Sequence, residues 1–144
     1  MIPRQKMKTD PVMTKTKFRL ILISSLLCIF ISAIFDAYDA TSIEISELLS
    51  KDVQHWELLI SGLLSIGFFV VLIGLLLFKK WARKIYVYSF FPLLLIYLLP
   101  SYSWTFMSGF GAIFYDLGNI LSTLIWGVLV VPSLYQPLFK KNTE

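Results

Sequence analysis

The chain has 144 residues, of which 57% are hydrophobic and 15% are charged, and its formal net charge is +4. A soluble domain carries about 45–50% apolar and about 25% charged residues, so this composition points to lipid rather than water. At about 20 residues for each membrane-spanning helix, four spans take up about 80 residues. That length leaves no room for a separate soluble catalytic domain.

The cysteine and histidine content limits the chemistry that the chain can perform. The single Cys28 excludes an internal disulfide and a redox-active thiol pair, and the single His55 excludes a bis-histidine haem. The sequence contains no glycine-rich phosphate loop, nucleophile elbow or metal-ligand spacing. We therefore expect no enzyme activity, no catalytic residue, no metal site and no cofactor.

The N-terminal residues 1–17 are polar and basic, and they include Pro3 and Pro11. Such a segment buries too little apolar surface to fold, so we expect a flexible cytoplasmic tail. The apolar residues that follow predict a first span at 18–37. A cleaved signal peptide is the alternative interpretation, but no small-x-small cleavage site follows the apolar run.

Residues 38–56 form an acidic segment that is predicted to face outward. Thr41 and Glu44 fit a capping box, which predicts the start of a short amphipathic helix. Its apolar side chains recur at helical spacing and offer a contact face: Ile45, Leu48, Leu49 and Trp56. A divalent cation bound by Asp36, Asp39 and His55 is an alternative, but their spacing matches no known loop and a solvated acidic face is favoured.

Three further spans are predicted from long uncharged runs, at residues 57–78, 85–102 and 113–135. Pro92 should kink the third span, and Pro132 and Pro137 should end the fourth. Residues 140–144 form a short basic tail. The predicted fold is therefore an all-α polytopic membrane protein, with a four-helix transmembrane bundle over residues 18–139.

The basic residues predict the orientation of this bundle. Twelve of the thirteen lie before or at the start of the first span, between the second and third, or after the fourth. The positive-inside rule makes that side cytoplasmic, so we expect a multi-pass protein of the cell inner (plasma) membrane with both termini inside. This explains the positive charge without a nucleic-acid partner. The topology anchors between spans two and three are Lys79, Lys80, Trp81, Arg83 and Lys84.

Small residues form two stripes on the second span. One stripe contains Ser61, Gly62 and Ser65, and the other contains Gly67 and Gly74. Helices associate in lipid by close packing at such residues. The stripes could pack within the bundle, or they could contact another membrane protein or a second copy of this chain.

Asp116 is the one acidic residue between Lys84 and Lys140. An ionised carboxylate at the bilayer centre costs at least about 2.5 kcal/mol, and such a residue often marks an ion or proton site. If the fourth helix begins at Leu117, Asp116 is only its N-cap, which is the favoured interpretation. If the helix begins near Phe110, Asp116 is a candidate intramembrane polar site.

The junction GLLLFKKWARK, from Gly74 to Lys84, is followed later by the run from Asp116 to Gly127 and a short basic tail. In these features the chain resembles small four-span bacterial inner-membrane proteins that carry a GLLLF-basic-basic-WAR junction. The resemblance covers roughly the last ninety residues. It implies a four-span topology in a bacterial inner membrane, and it implies no activity because those proteins are functionally uncharacterised.

Two functional hypotheses follow from these features. The first is an accessory, regulatory or immunity-type membrane protein that acts by helix–helix contact. The second is an oligomeric small-solute or ion transporter or channel that uses Asp116. The expected partners are the lipid bilayer and either another membrane protein or further copies of the chain.

Overall fold

The computed structural model describes residues 12–49, 54–93 and 108–140. All regular elements in these residues are helices: α1 (Lys15–Tyr38), α2 (Ala40–Leu49), α3 (His55–Leu76), α4 (Lys80–Leu93), α5 (Gly109–Val130) and α6 (Pro132–Phe139). Three of them, α1, α3 and α5, are long and apolar enough to cross a membrane. The all-α class predicted from the sequence is confirmed, with three candidate spans in the described residues.

Helix α1 contains the predicted first span and extends it by three residues at the start. Its N-cap is Thr14, whose side chain accepts a hydrogen bond from the backbone N–H of Lys17 at 3.3 Å. This bond satisfies one of the free N–H groups at the helix start. The helix ends at Tyr38, and the N–H of Asp39 bonds back to the carbonyl of Asp36.

Helix α2 occupies the first part of the predicted amphipathic segment, but the predicted cap at Thr41 is wrong. The carboxylate of Asp39 accepts hydrogen bonds from the backbone N–H and the hydroxyl of Ser42, at 3.1 and 2.9 Å. Asp39 is therefore the N-cap, because its side chain satisfies the N–H three residues along the chain. Residues 50–53 of the segment lie outside the described residues.

Helix α3 begins two residues before the predicted second span and ends at Leu76, where the chain turns sharply. The N–H of Lys79 bonds to the carbonyl of Gly74 at 2.8 Å, and the N–H of Phe78 bonds to the carbonyl of Leu75 at 3.0 Å. This pattern is a Schellman motif, which needs a left-handed residue after the helix. Phe78 supplies it with a φ of 53°.

Helix α4 begins at Lys80, five residues before the predicted third span. Pro92 is the penultimate residue of α4, and the predicted span beyond residue 93 lies outside the described residues. The fourteen residues of α4 cover about 21 Å by helical rise, which is shorter than the hydrocarbon core of a bilayer.

Helix α5 covers most of the predicted fourth span, but both predicted boundaries are wrong. It begins at Gly109 rather than 113 and ends at Val130 rather than 135. Val131 is extended because the residue before a proline disfavours the helical conformation. Pro132 then opens α6 at its first turn, and Pro137 lies inside that helix.

The described helices pack most tightly at one end of the molecule. The antiparallel pair α1 and α5 forms the most extensive contact, and α3 packs on α4. The core lies where α1 and α4 begin and where α3, α5 and α6 end. Its fully buried large side chains are Phe18, Leu22, Leu75, Ile125, Leu129 and Leu138.

Candidate functional site

The contact between α1 and α5 is built from serines that face glycines. The hydroxyl of Ser32 donates to the carbonyl of Gly111 at 2.9 Å, and that of Ser25 donates to the carbonyl of Gly118 at 3.2 Å. A Cβ on Gly118 would lie 2.9 Å from the side chain of Ile29, so the backbones approach closely here. This contact holds the bundle together, and the sequence analysis did not find it.

A signal for this contact was present in the sequence. Ser25 and Ser32 are seven residues apart, as are Gly111 and Gly118, so each pair lies on one face of its helix. The same face of α5 carries Ser122, whose hydroxyl lies 2.9 Å from that of Ser25. Close approach at glycine with hydrogen bonds from serine is a usual way for helices to pack in lipid.

The two predicted stripes on α3 have different environments. Ser61, Gly62 and Ser65 are exposed, which here means that the other described residues of this chain do not cover them. A Cβ added to Gly62 would meet no atom of the described residues within 4 Å, and the same is true of Gly67. Gly67 lines an apolar groove of about 400 Å³ between α3 and α4.

Gly74, which shares a predicted stripe with Gly67, has an internal packing role. A Cβ on Gly74 would lie 2.6 Å from the Cβ of Ala82 and 3.0 Å from the ring of Trp81. Gly74 therefore allows the close approach of α3 and α4 at the turn between them. Its expected contact with a partner does not fit this buried position.

Asp116 lies inside α5 and is not its N-cap, so the favoured interpretation of this residue is wrong. The N-cap is Ser108, and Asp116 comes seven residues after Gly109. By helical rise this places it about 10 Å along the helix. Its side chain is exposed and lies on the face of α5 opposite the α1 contact, together with exposed Asn119 and Thr123.

Asp39, which follows the last residue of α1, forms a hydrogen-bonded cluster with two serines. The carboxylate of Asp39 accepts from the hydroxyl of Ser108, the N-cap of α5, as well as from Ser42. These hydrogen bonds, with Ser108 the largest contributor, lower the pKa of Asp39 below its usual 3.8 because they favour the charged form. Asp39 thus connects the end of α1 and the start of α2 with the start of α5.

The alternative cation site at Asp36, Asp39 and His55 has no support from this arrangement. Within the described ranges, no three His, Cys, Asp or Glu side chains come together as a group that could hold a metal ion. The Asp39 carboxylate is instead occupied by serine donors.

The predicted topology anchors come together at the turn from α3 to α4. Lys79, Lys80 and Lys84 are exposed, and Arg83 is partly buried. The guanidinium of Arg83 donates to the carbonyl of Leu129 at 3.1 Å and lies 3.6 Å from the ring centroid of Tyr135. Because α1 begins and α6 ends nearby, all lysines and arginines in the described residues lie at this end of the bundle.

Comparison of the chain with protein-family models, with curated proteins and with solved structures gives no match. The class of protein therefore rests on the helices themselves. The described residues form an all-helical protein with three helices that suit a membrane.

Proposed function

We propose that this chain is a small accessory, regulatory or immunity-type membrane protein that acts by helix–helix contact with another membrane protein. The contact surface is the exposed face of α3 formed by Ser61, Gly62 and Ser65, which we name the α3 face. The proposal carries no enzymatic step.

The observation that carries the proposal is the contrast among the glycines. Gly74, Gly111 and Gly118 each face an atom of a neighbouring helix within 4 Å, whereas Gly62 faces none among the described residues. Small residues in a membrane helix allow another backbone to approach closely. A helix of this chain fills that space at three of these glycines, and a helix from another protein is proposed to fill it at Gly62.

The α3 face also has a polar group that suits a helix contact. The hydroxyl of Ser61 bonds to the carbonyl of Leu58 in its own helix at 3.1 Å, which leaves its oxygen able to accept a hydrogen bond. Large apolar side chains flank the face, including Leu58 and Leu59, which are 57% and 69% exposed. A partner helix on this face would therefore meet a shallow small-residue surface with apolar borders.

The test compares two glycines at which an added Cβ has open space. The full chain is extracted from its native membrane in a mild detergent, and its bound proteins are identified by native mass spectrometry. We expect Gly62→Leu to release a partner that the parent chain and the control variant Gly127→Leu both retain. Gly127 suits this control because it lies on α5 and also has no atom within 4 Å of an added Cβ. Retention of the partner by Gly62→Leu would contradict the proposal.

We also propose a four-span topology in the inner membrane, with both termini in the cytoplasm. The collection of the described basic residues at one end of the bundle supports it through the positive-inside rule. A C-terminal fusion to a green fluorescent protein should fluoresce, and a C-terminal fusion to a periplasmic phosphatase should be inactive. The reverse pair of results would contradict this orientation.

A second candidate function, an oligomeric transporter or channel, is favoured by the position of Asp116. Its carboxyl is exposed within a candidate span and is not enclosed by the other described residues, so a second copy of the chain is proposed to enclose it away from lipid. Gly127 lies eleven residues later, on the same face of α5. This function predicts that Gly127→Leu disrupts self-association and that Asp116→Asn changes ion flux in liposomes, whereas the first function predicts neither.

A further inference from the structure

A cleft of about 600 Å³ opens between the start of α4 and helix α6. Lys80, Arg83 and Lys84 lie on one side of it, and Lys140 lies on the other. The rings of Tyr135 and Phe139 form the apolar part of its wall. We name this feature the basic cleft. No acidic side chain of the described residues lines it, so four cations share one concave surface.

The local helix geometry makes this concentration of positive charge unfavourable without an anion. Lys80, Arg83 and Lys84 lie in the first five residues of α4, at the positive end of its dipole. That position favours acidic residues, yet the first turn of α4 contains none. A bound anion would reduce the repulsion between the cations. It would also accept hydrogen bonds from the free N–H groups at the helix start.

Arg83, which lines the basic cleft, is held in place by two contacts within the chain. One guanidinium N–H bonds to the carbonyl of Leu129 at 3.1 Å, and the Tyr135 ring lies against the guanidinium at 3.6 Å. A guanidinium carries five N–H donors, so most of them remain for a ligand. Because the side chain is fixed before binding, little further rotamer entropy is lost when an anion binds.

The depth of the basic cleft indicates what kind of anion binds there. It lies near the ends of α3 and α5, at Leu76 and Val130, which are the ends of two candidate spans. Lipid phosphates lie at this level, and basic pockets between membrane helices bind anionic headgroups. We propose that the basic cleft binds the phosphate diester of an anionic phospholipid, with Tyr135 and Phe139 against the upper part of its acyl chains.

The test measures bound lipid on the purified full chain by native mass spectrometry. The chain is incubated in mild detergent with phosphatidylglycerol, with phosphatidylcholine, or with inorganic phosphate alone. The cleft variant is Lys80→Gln with Lys84→Gln, because both side chains are exposed and their loss leaves the core intact. The control is Lys15→Gln with Lys17→Gln, which removes the same charge at the same end of the bundle but outside the cleft.

We expect the parent chain and the control to retain phosphatidylglycerol in preference to phosphatidylcholine. The cleft variant should bind phosphatidylglycerol less tightly, by about fivefold for each lysine removed. An equal loss in the two double variants would show diffuse attraction to positive charge and overturn the proposal. Equal retention of phosphatidylcholine, or displacement of the lipid by millimolar inorganic phosphate, would also overturn it. Displacement by inorganic phosphate would identify a site for a soluble phosphate instead.

Discussion

The hydroxyl of Ser32 on α1 donates to the carbonyl of Gly111 on α5 at 2.9 Å, and one heptad away Ser25 repeats the contact with Gly118. A glycine exposes its own carbonyl because it has no side chain, and it lets the serine of the neighbouring helix reach it. The same two residue types thus supply both the close approach and the hydrogen bond. This repeat explains how two apolar helices recognise each other where lipid provides no hydrophobic driving force.

Gly118→Leu should destabilise the bundle by about 1–3 kcal/mol, because an added side chain overpacks a closed contact. The Cβ alone would lie 2.9 Å from Ile29, so α1 and α5 must separate to accommodate it. Unfolding of the purified chain in detergent, followed by circular dichroism, measures the change. Gly127→Leu on the same helix has open space and should unfold like the parent chain.

Ser32→Ala should have a much smaller effect than Gly118→Leu, of about 0.6 kcal/mol, which is typical of a hydrogen bond between membrane helices. The substitution removes the donor to Gly111 but keeps the close packing. The comparison uses the same unfolding assay, with Ser61→Ala as the control because its hydroxyl bonds within its own helix. A loss as large as that of Gly118→Leu would show that the hydrogen bond, rather than the close approach, holds α1 against α5.

Phe78 gives a test that separates backbone strain from packing. Its ring lies 6.0 Å from the rings of both Phe18 and Phe139, but its φ of 53° is unfavourable for any residue with a Cβ. Phe78→Ala should cost about 2–3 kcal/mol, because the ring is lost while the strain remains. Phe78→Gly should be more stable than Phe78→Ala by about 1 kcal/mol, since glycine adopts this φ freely.

The control for the Phe78 pair is Phe69→Ala, a phenylalanine on α3 that is 50% exposed. It should change the free energy of unfolding by less than about 0.5 kcal/mol. If Phe78→Ala and Phe78→Gly were equally stable, the left-handed backbone at this turn would carry no strain, contrary to the structure.

Asp39 predicts a pH dependence at the end of the bundle that holds α2. Serine donors lower the pKa of its carboxyl, so the stabilisation is present above the unfolded value of 3.8 and is lost as the pH falls through the lower folded pKa. The protection of the α2 amides, measured by hydrogen exchange relative to the intrinsic exchange rate at each pH, should therefore fall at acidic pH. Asp39→Ala should lower this protection at neutral pH as well, whereas Glu44→Gln, an exposed change within α2, should keep the parent profile.

The sequence predicted helices α1 and α3 well because charged residues bound their apolar runs. Arg19 and Asp36 bracket the first run, and Glu57 and Lys79 bracket the second. The start of α5 was missed because no charge marks it. Gly109 and Gly111 resemble a loop in sequence, but Gly111 lies inside the helix, where its small size fits the contact with α1.

The candidate site was predictable only in part, because a small residue in a membrane helix has the same sequence signal wherever its neighbour comes from. Gly67 and Gly74 share one stripe, yet Gly74 is closed by α4 and Gly67 is open. The difference depends on the sharp turn at Phe78, which packs Trp81 and Ala82 against Gly74. Neither side chain comes within 4 Å of a Cβ added at Gly67. Such a turn cannot be read from residue spacing on one helix.

The contacts among Phe18, Phe78 and Phe139 also set the order in which the molecule can be completed. These rings come from the start of α1, the turn after α3 and the end of α6. Phe18 and Phe78 are synthesised well before Phe139. Helices α1 and α3 must therefore enter the membrane while the contact between their rings still lacks the ring of Phe139. Final closure of this end of the bundle therefore waits until Phe139 has been synthesised, and a nascent chain stopped before residue 139 should remain open there.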